Sequence, residues 1–206
     1  MIDRLKMIAF VLVLGGVLTT ALVSVDAFTK PYIAANQKKR LQESVLRAAG
    51  IEFTKSEMRQ IFSERITPVA YPDALQPLGV TEENKRHFYR TAAGEIIFEY
   101  RGSGVQDEIY GVLALEPDLE TIKGVTIVGQ RETPGLGGRI EEPEFLDRFT
   151  SKKVFPVFRI RPPGKASRAN EIDGFTGATL SCNALEDILN KEIQRYVPAI
   201  KESLKK

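Results

Sequence analysis

From Ile8 to Val25 no side chain is charged. As a helix this run is about 27 Å long, close to the roughly 30 Å hydrocarbon core of a bilayer. Arg4 and Lys6 precede it, and Asp26 and Lys30 follow. The pattern predicts a membrane-crossing helix within residues 1–28. A cleaved signal peptide is the rival reading, since Val25-Asp26-Ala27 offers small residues to a signal peptidase. The run exceeds the usual signal core of about 7–15 apolar residues, which favours an anchor that stays. Beyond it, Pro31 is placed to open a stalk helix over 29–50, with Ile33, Leu41, Val45 and Leu46 as its apolar stripe. Residues 56–85 are mixed, and Pro68, Pro72 and Pro77 predict irregular structure there.

Strand patterns follow. His87–Arg90, Glu95–Arg101 and Ile109–Leu115 are rich in aromatic and β-branched residues, and Ala92-Ala93-Gly94 predicts a hairpin between the first two. Gly124–Val128 predicts a short strand, Glu142–Phe149 a short helix behind Pro143, and Val154–Ile160 an alternating strand. Pro162-Pro163-Gly164 starts a loop. After Thr179 the residues Leu180, Ala184, Leu185, Ile188, Leu189 and Ile193 fall at helical spacing. The fold class expected is α+β: an N-terminal transmembrane helix, then a domain over 51–206 with a mostly antiparallel sheet and flanking helices.

Composition narrows the function. The chain has 206 residues, 43% hydrophobic and 27% charged, as a globular domain requires. Its net charge of +2 comes without a basic cluster interleaved with aromatics, which sets nucleic acid aside. A single cysteine, Cys182, rules out an internal disulfide, and a single histidine, His87, excludes a His-rich metal site. No Gly-x-Ser-x-Gly elbow is present, and one histidine leaves little for a hydrolase triad.

Two segments carry candidate chemistry. Residues 173–181 read Asp-Gly-Phe-Thr-Gly-Ala-Thr-Leu-Ser. Gly177 and Ala178 stand between Thr176 and Thr179, so a threonine hydroxyl sits at a helix start with nothing bulky beside it. Helix N-termini offer unpaired N–H groups and a positive dipole end, which suit a phosphate. An ordinary N-cap threonine would produce the same local pattern. Residues 132–138 read Glu-Thr-Pro-Gly-Leu-Gly-Gly. Pro134-Gly135 signals a turn, and Leu136 is an apolar residue held out on a glycine-rich loop. A flavin ring would cover it, with Glu132 and the loop amides facing the ring's polar edge; a plain tight turn is the alternative.

The first segment resembles the covalent flavin-attachment motif of the FMN-binding subunits of the Rnf and sodium-pumping NADH:quinone oxidoreductase complexes. The second resembles the flavin-lining loop of the same family. Gly104–Leu115, containing Asp107, Ile109, Tyr110 and Gly111, and Lys30–Ile51 agree with it too, so the likeness covers most of the chain. Cys182-Asn183 departs from the Ser/Thr-rich continuation usual there. A basic residue that precedes the motif in some relatives has Arg161, Lys165 and Arg168 as unranked counterparts.

The resemblance implies FMN esterified through its phosphate to Thr179, with Asp173, Thr176, Gly177, Ala178, Glu132, Thr133, Gly135, Leu136, Gly137 and Tyr110 around it. It implies an electron carrier without independent catalytic activity, working among the membrane subunits of an ion-translocating complex and matured by a flavin transferase. A structural subunit that is never flavinylated is the alternative. The family places its domain on the periplasmic face of the bacterial inner membrane, on a single-pass anchor. Flanking charge does not settle that orientation, because Lys38, Lys39 and Arg40 follow the span. Nor does the sequence separate the Rnf from the NADH:quinone type.

Overall fold

The computed structural model describes residues 2–69 and 86–204. Pro72 and Pro77 therefore lie outside the described residues. The chain divides into two compact units, Met1–Arg40 and Leu41–Lys206.

The first unit is helical. Helix α1 spans Ile2–Ala48 and is long and apolar enough to cross a membrane. Every side chain from Met7 to Val25 is exposed. Its hydroxyl groups are satisfied within the helix: Thr20, Ser24 and Thr29 donate to the carbonyls of Gly16, Thr20 and Val25 at 2.7–2.8 Å. That leaves a surface with little need of water. The break expected at Pro31 is not there. Pro31 lies inside the continuous helix, where it removes one N–H without ending the element.

In the second unit, a five-stranded antiparallel meander runs in chain order. Its strands are β1 (Ile66–Val69), β2 (Phe88–Thr91), β3 (Ile96–Ser103), β4 (Glu108–Leu115) and β5 (Ile122–Gly129). The hairpin predicted between β2 and β3 closes with Gly94 at φ +91°, its N–H donating to the Thr91 carbonyl. Pro68, a residue whose type suggests irregular structure, sits in β1 opposite Tyr89. An edge strand tolerates proline because one side of it needs no ladder donor.

Both faces of the sheet are covered, which is why β3 and β4 are apolar at nearly every position. Ile96, Phe98, Tyr100, Leu113 and Leu115 pack on one face with helix α4 (Thr179–Ser203), through Leu185, Leu189, Ile193 and Tyr196. Ile97, Val112 and Ala114 point to the other face, where Val45, Leu46 and Ala48 of α1 and Met58 of α2 (Met58–Arg65) meet them. Successive residues of a strand alternate between these two cores, as the pleat requires. The approach is close on both sides. A Cβ on Gly102 would lie 2.5 Å from Ile188, and one on Gly124 would lie 2.5 Å from the Ala48 carbonyl oxygen.

Between β5 and α4 the chain forms a 3-10 turn at Gly137–Glu141, the short helix α3 (Pro143–Asp147), and a parallel pair, β6 (Arg159–Arg161) with β7 (Glu171–Asp173). The strand expected over Val154–Ile160 is realised only from Arg159. Before it, Phe158 spends both backbone groups on the Asn190 side chain, and Asn170 bonds the Val157 carbonyl. Pro156 has no N–H to give. Strand β7 carries no periodic signal of its own, being three residues long.

Gly124→Ala should destabilise the domain by about 1–3 kcal/mol, because the added methyl meets helix backbone that has no rotamer to change. A lowered urea midpoint measures it.

Candidate functional site

Helix α4 begins at Thr179, with Ala178 in the capping position and no side-chain cap. The first helical bond at this end runs from the Cys182 N–H to the Ala178 carbonyl, at 2.9 Å. The N–H groups of Thr179, Leu180 and Ser181 thus have no acceptor among the described residues, and neither does the Thr179 hydroxyl. Neither threonine is an ordinary N-cap. Thr176, Gly177, Thr179 and Leu180 are exposed, and Ala178 is buried. Gly177 takes φ +84°, a conformation that disfavours any residue with a side chain. Helical spacing puts Leu180 in the apolar stripe, but it is 68% exposed. The buried face starts at Ser181 and Cys182 and continues through Leu185, Ile188 and Leu189, which turns Leu180 outward.

The Glu132–Gly138 loop lies against this turn. Thr133 accepts the N–H groups of Leu136 and Gly138 through its carbonyl, and Gly135 takes φ +73°. Leu136 remains 49% exposed, and its Cδ2 would be 3.1 Å from a Cβ on Gly177. The side chain therefore reaches across the glycine of the threonine turn. Glu132 is buried. Its Oε2 accepts the Ser181 hydroxyl at 2.5 Å, and its Oε1 accepts the Val105 and Gln106 N–H groups at 2.9 and 3.1 Å. The carboxylate is thus engaged inside the protein rather than turned outward to a ring edge.

A stack of charge and aromatic surface supports the turn from below. The guanidinium groups of Arg139 and Arg148 lie 4.0 and 4.6 Å from the centre of the Phe175 ring. Arg148 also donates to the Asp173 carbonyl at 2.9 Å. Two cations close to the start of α4 add to its positive end.

The helix start therefore presents unpaired donors, an unpaired hydroxyl, nearby positive charge and two exposed leucines. That combination fits a ligand with a phosphate at one end and an apolar ring system at the other. Residues 104–194 match the family model of the FMN-binding domain. The chain carries an FMN-binding domain of the NqrC-like kind. The NqrC protein of the Na(+)-translocating NADH-quinone reductase of Vibrio alginolyticus is 26% identical over 194 residues, 74% of this chain and 75% of that protein. Its counterpart in Vibrio anguillarum is 35% identical over 98 residues, 45% of this chain but only 38% of the relative. Among solved structures, NqrC of Shewanella oneidensis shares the fold with a TM-score of 0.68 at 23% identity, over 80% of this chain and 99% of that one. The corresponding protein from Parabacteroides distasonis gives 0.65 at 24% identity, over 80% and 92%.

Within the FMN-binding domain the other predicted residues have varied placements. Asp173 ends β7, and its Oδ1 accepts the N–H groups of Lys165 and Ala166 at 2.9 Å, which holds its pKa below the ordinary carboxylate value. It shapes the loop that enters the turn. Tyr110 lies on β4, its ring against Gly129 and 4.8 Å from the Arg101 guanidinium; it makes no hydrogen bond with the loop or with α4. Cys182 is buried, as expected of a small core residue, and burial raises its thiol pKa. Among the described residues no His, Cys, Asp and Glu cluster could hold a metal.

Of the basic candidates, Arg161 pairs with Glu171 at 2.9 Å, while Lys165 and Arg168 contribute backbone N–H groups to Asp173 and Glu171. The arginines stacked beneath the motif, Arg139 and Arg148, escape sequence reasoning because a stack on an aromatic ring leaves no trace in spacing. Ser181 has a legible signal, a hydroxyl on the buried face of an amphipathic helix.

Acid should loosen the loop before the core. Bonds from Ser167 and Arg161 hold the Glu171 pKa down at about 2. Its contribution to stability is complete above the ordinary carboxylate range and is lost as pH falls towards about 2. Glu171→Gln should flatten the stability–pH slope across that window, measured by denaturant midpoints.

Proposed function

We propose that this chain is the covalent flavoprotein of an ion-translocating oxidoreductase of the Nqr or Rnf type, with FMN joined by a phosphoester to Thr179. The observation that carries the reading is the start of α4. A surface threonine has an unpaired hydroxyl, sits beside two further unpaired N–H groups, and has no capping role to explain it. A phosphate there would gain N–H donors and the helix dipole. Leu136 and Leu180, half or more exposed, would shield an apolar ring system. Phe175, between Arg139 and Arg148, would keep positive charge close to the phosphate. Bound FMN supplies reversible electron uptake; the chain supplies position, charge and shielding.

The remaining parts follow the same reading. Residues 1–28 are the membrane anchor, and the domain faces the periplasm from the inner membrane. Other membrane subunits exchange electrons with it, and a flavin transferase using FAD and a divalent metal attaches the cofactor. A bond that survives denaturation suits a carrier in a compartment where lost FMN is not readily replaced.

Produced with a matching transferase, the protein should give a fluorescent band on a denaturing gel, and peptide mass spectrometry should place the adduct on Thr179. Thr179→Ala should lose the band and keep the fold, since no capping bond is removed. An adduct on Thr176 or Ser181, or none at all, would overturn the assignment; none would leave a structural subunit.

Leu136→Asp should shift the flavin spectrum or potential while attachment persists. An unchanged spectrum and potential would reduce the loop to a turn.

A further inference from the structure

We infer that Glu132 is a positioning residue for Thr179, acting through Ser181; this rests on the reading of Thr179 given above. Three segments far apart in sequence converge on one buried carboxylate. The hairpin between β3 and β4 donates from Val105 and Gln106 to Oε1, and the first turn of α4 donates from Ser181 to Oε2. The loop that carries Glu132 is itself folded onto the side chain of a neighbour: the Glu132 N–H donates to Gln130 Oε1 at 2.5 Å. A carboxylate that accepts three hydrogen bonds in a buried place is satisfied there, and losing it strands all three donors.

Two glycines make this junction possible. A Cβ on Gly104 would collide with Glu132 Oε1. One on Gly137 would collide with Ser181 Oγ and stand 3.0 Å from Glu132 Oε2. No side chain fits at either position without breaking the bonds. This gives the Glu-x-x-x-x-Gly spacing of the loop a mechanical meaning: the first and last residues build the junction, and Leu136 between them is left at the surface. Ser181 is two residues from Thr179 on the same helical turn. Fixing its hydroxyl fixes the azimuth of the helix start, and with it the direction of the Thr179 hydroxyl and of the unpaired N–H groups.

Chemistry distinguishes the variants. In Glu132→Ala all three donors lose their acceptor. In Glu132→Gln the remaining oxygen can hold the hairpin, and the new amide can donate to Ser181, whose hydroxyl also accepts. Ser181→Ala cuts only the helix arm.

The test uses the full chain in detergent, with two readouts. In the unmodified protein, Glu132→Ala should speed amide exchange at Val105 and Gln106 about tenfold or more, while Ser181→Ala speeds exchange at Cys182 and spares the hairpin. With transferase, FAD and magnesium, the initial rate of FMN attachment should fall about tenfold in Glu132→Ala and in Ser181→Ala, and about as far in the double variant, because the two act as one unit. Glu132→Gln should stay within about threefold of the parent. Gly124→Ala, destabilised at a remote contact, should attach FMN at the parent rate. Unchanged exchange at Val105 and Gln106, multiplicative rates in the double variant, or an equal loss in Gly124→Ala would each overturn the inference. If no protein, the parent included, takes up FMN, the reading of Thr179 fails, and the exchange data still decide whether the junction exists.

Discussion

A helix cannot bond its own first N–H groups, so its start must meet water, a cap or a ligand. In this domain that constraint governs the site. Helix α4 is 25 residues long and buries a face from Ser181 to Ile200 against the sheet. Such burial fixes the helix along most of its length and leaves little freedom in where its first turn emerges. Glu186 reinforces the placement by pairing with Arg159 and accepting the Ile160 N–H. The unpaired donors at Thr179, Leu180 and Ser181 are thus delivered to one surface point by packing that lies mostly elsewhere.

Around that point the residues divide into those that build and those that face outward. Glu132, Gly137, Ala178 and Ser181 are buried, and Asp173 is occupied by loop amides. Thr176, Thr179, Leu136 and Leu180 are exposed. A motif read as a list of ligand contacts therefore overstates the contacts. Much of its sequence is spent on bringing three segments close enough that a hydroxyl and a leucine can share one surface.

Much of this is legible in the sequence. Strands β2 to β5 announce themselves by aromatic and β-branched runs, and the hairpin by Gly94, because these signals are local. The segment before β6 misleads because its alternation is real while its backbone partners are side chains of α4 and of the loop, a tertiary choice that outweighs pattern. Pro31 misleads for a different reason: proline favours a helix start but does not forbid a long helix to continue. The two motifs point to the right surface. What they do not reveal is the inward turn of the Glu132 carboxylate, or the Arg139–Phe175–Arg148 stack, since both depend on segments that meet only in the folded chain.

The meander has a consequence for how the domain assembles. Each strand from β1 to β5 pairs with its neighbour in sequence, so the sheet can zip through short-range contacts. Helix α4 follows all five strands in the chain, and its partners on β3 lie about 90 residues earlier. Its docking is the long-range step, and it covers the face holding Phe98, Tyr100 and Leu113. Before it docks, Thr179 belongs to a loose strand of polypeptide; afterwards it stands at a fixed point. The surface that presents Thr179 is therefore a record of completed folding: any enzyme that recognises it reads the maturity of the whole domain rather than a short peptide.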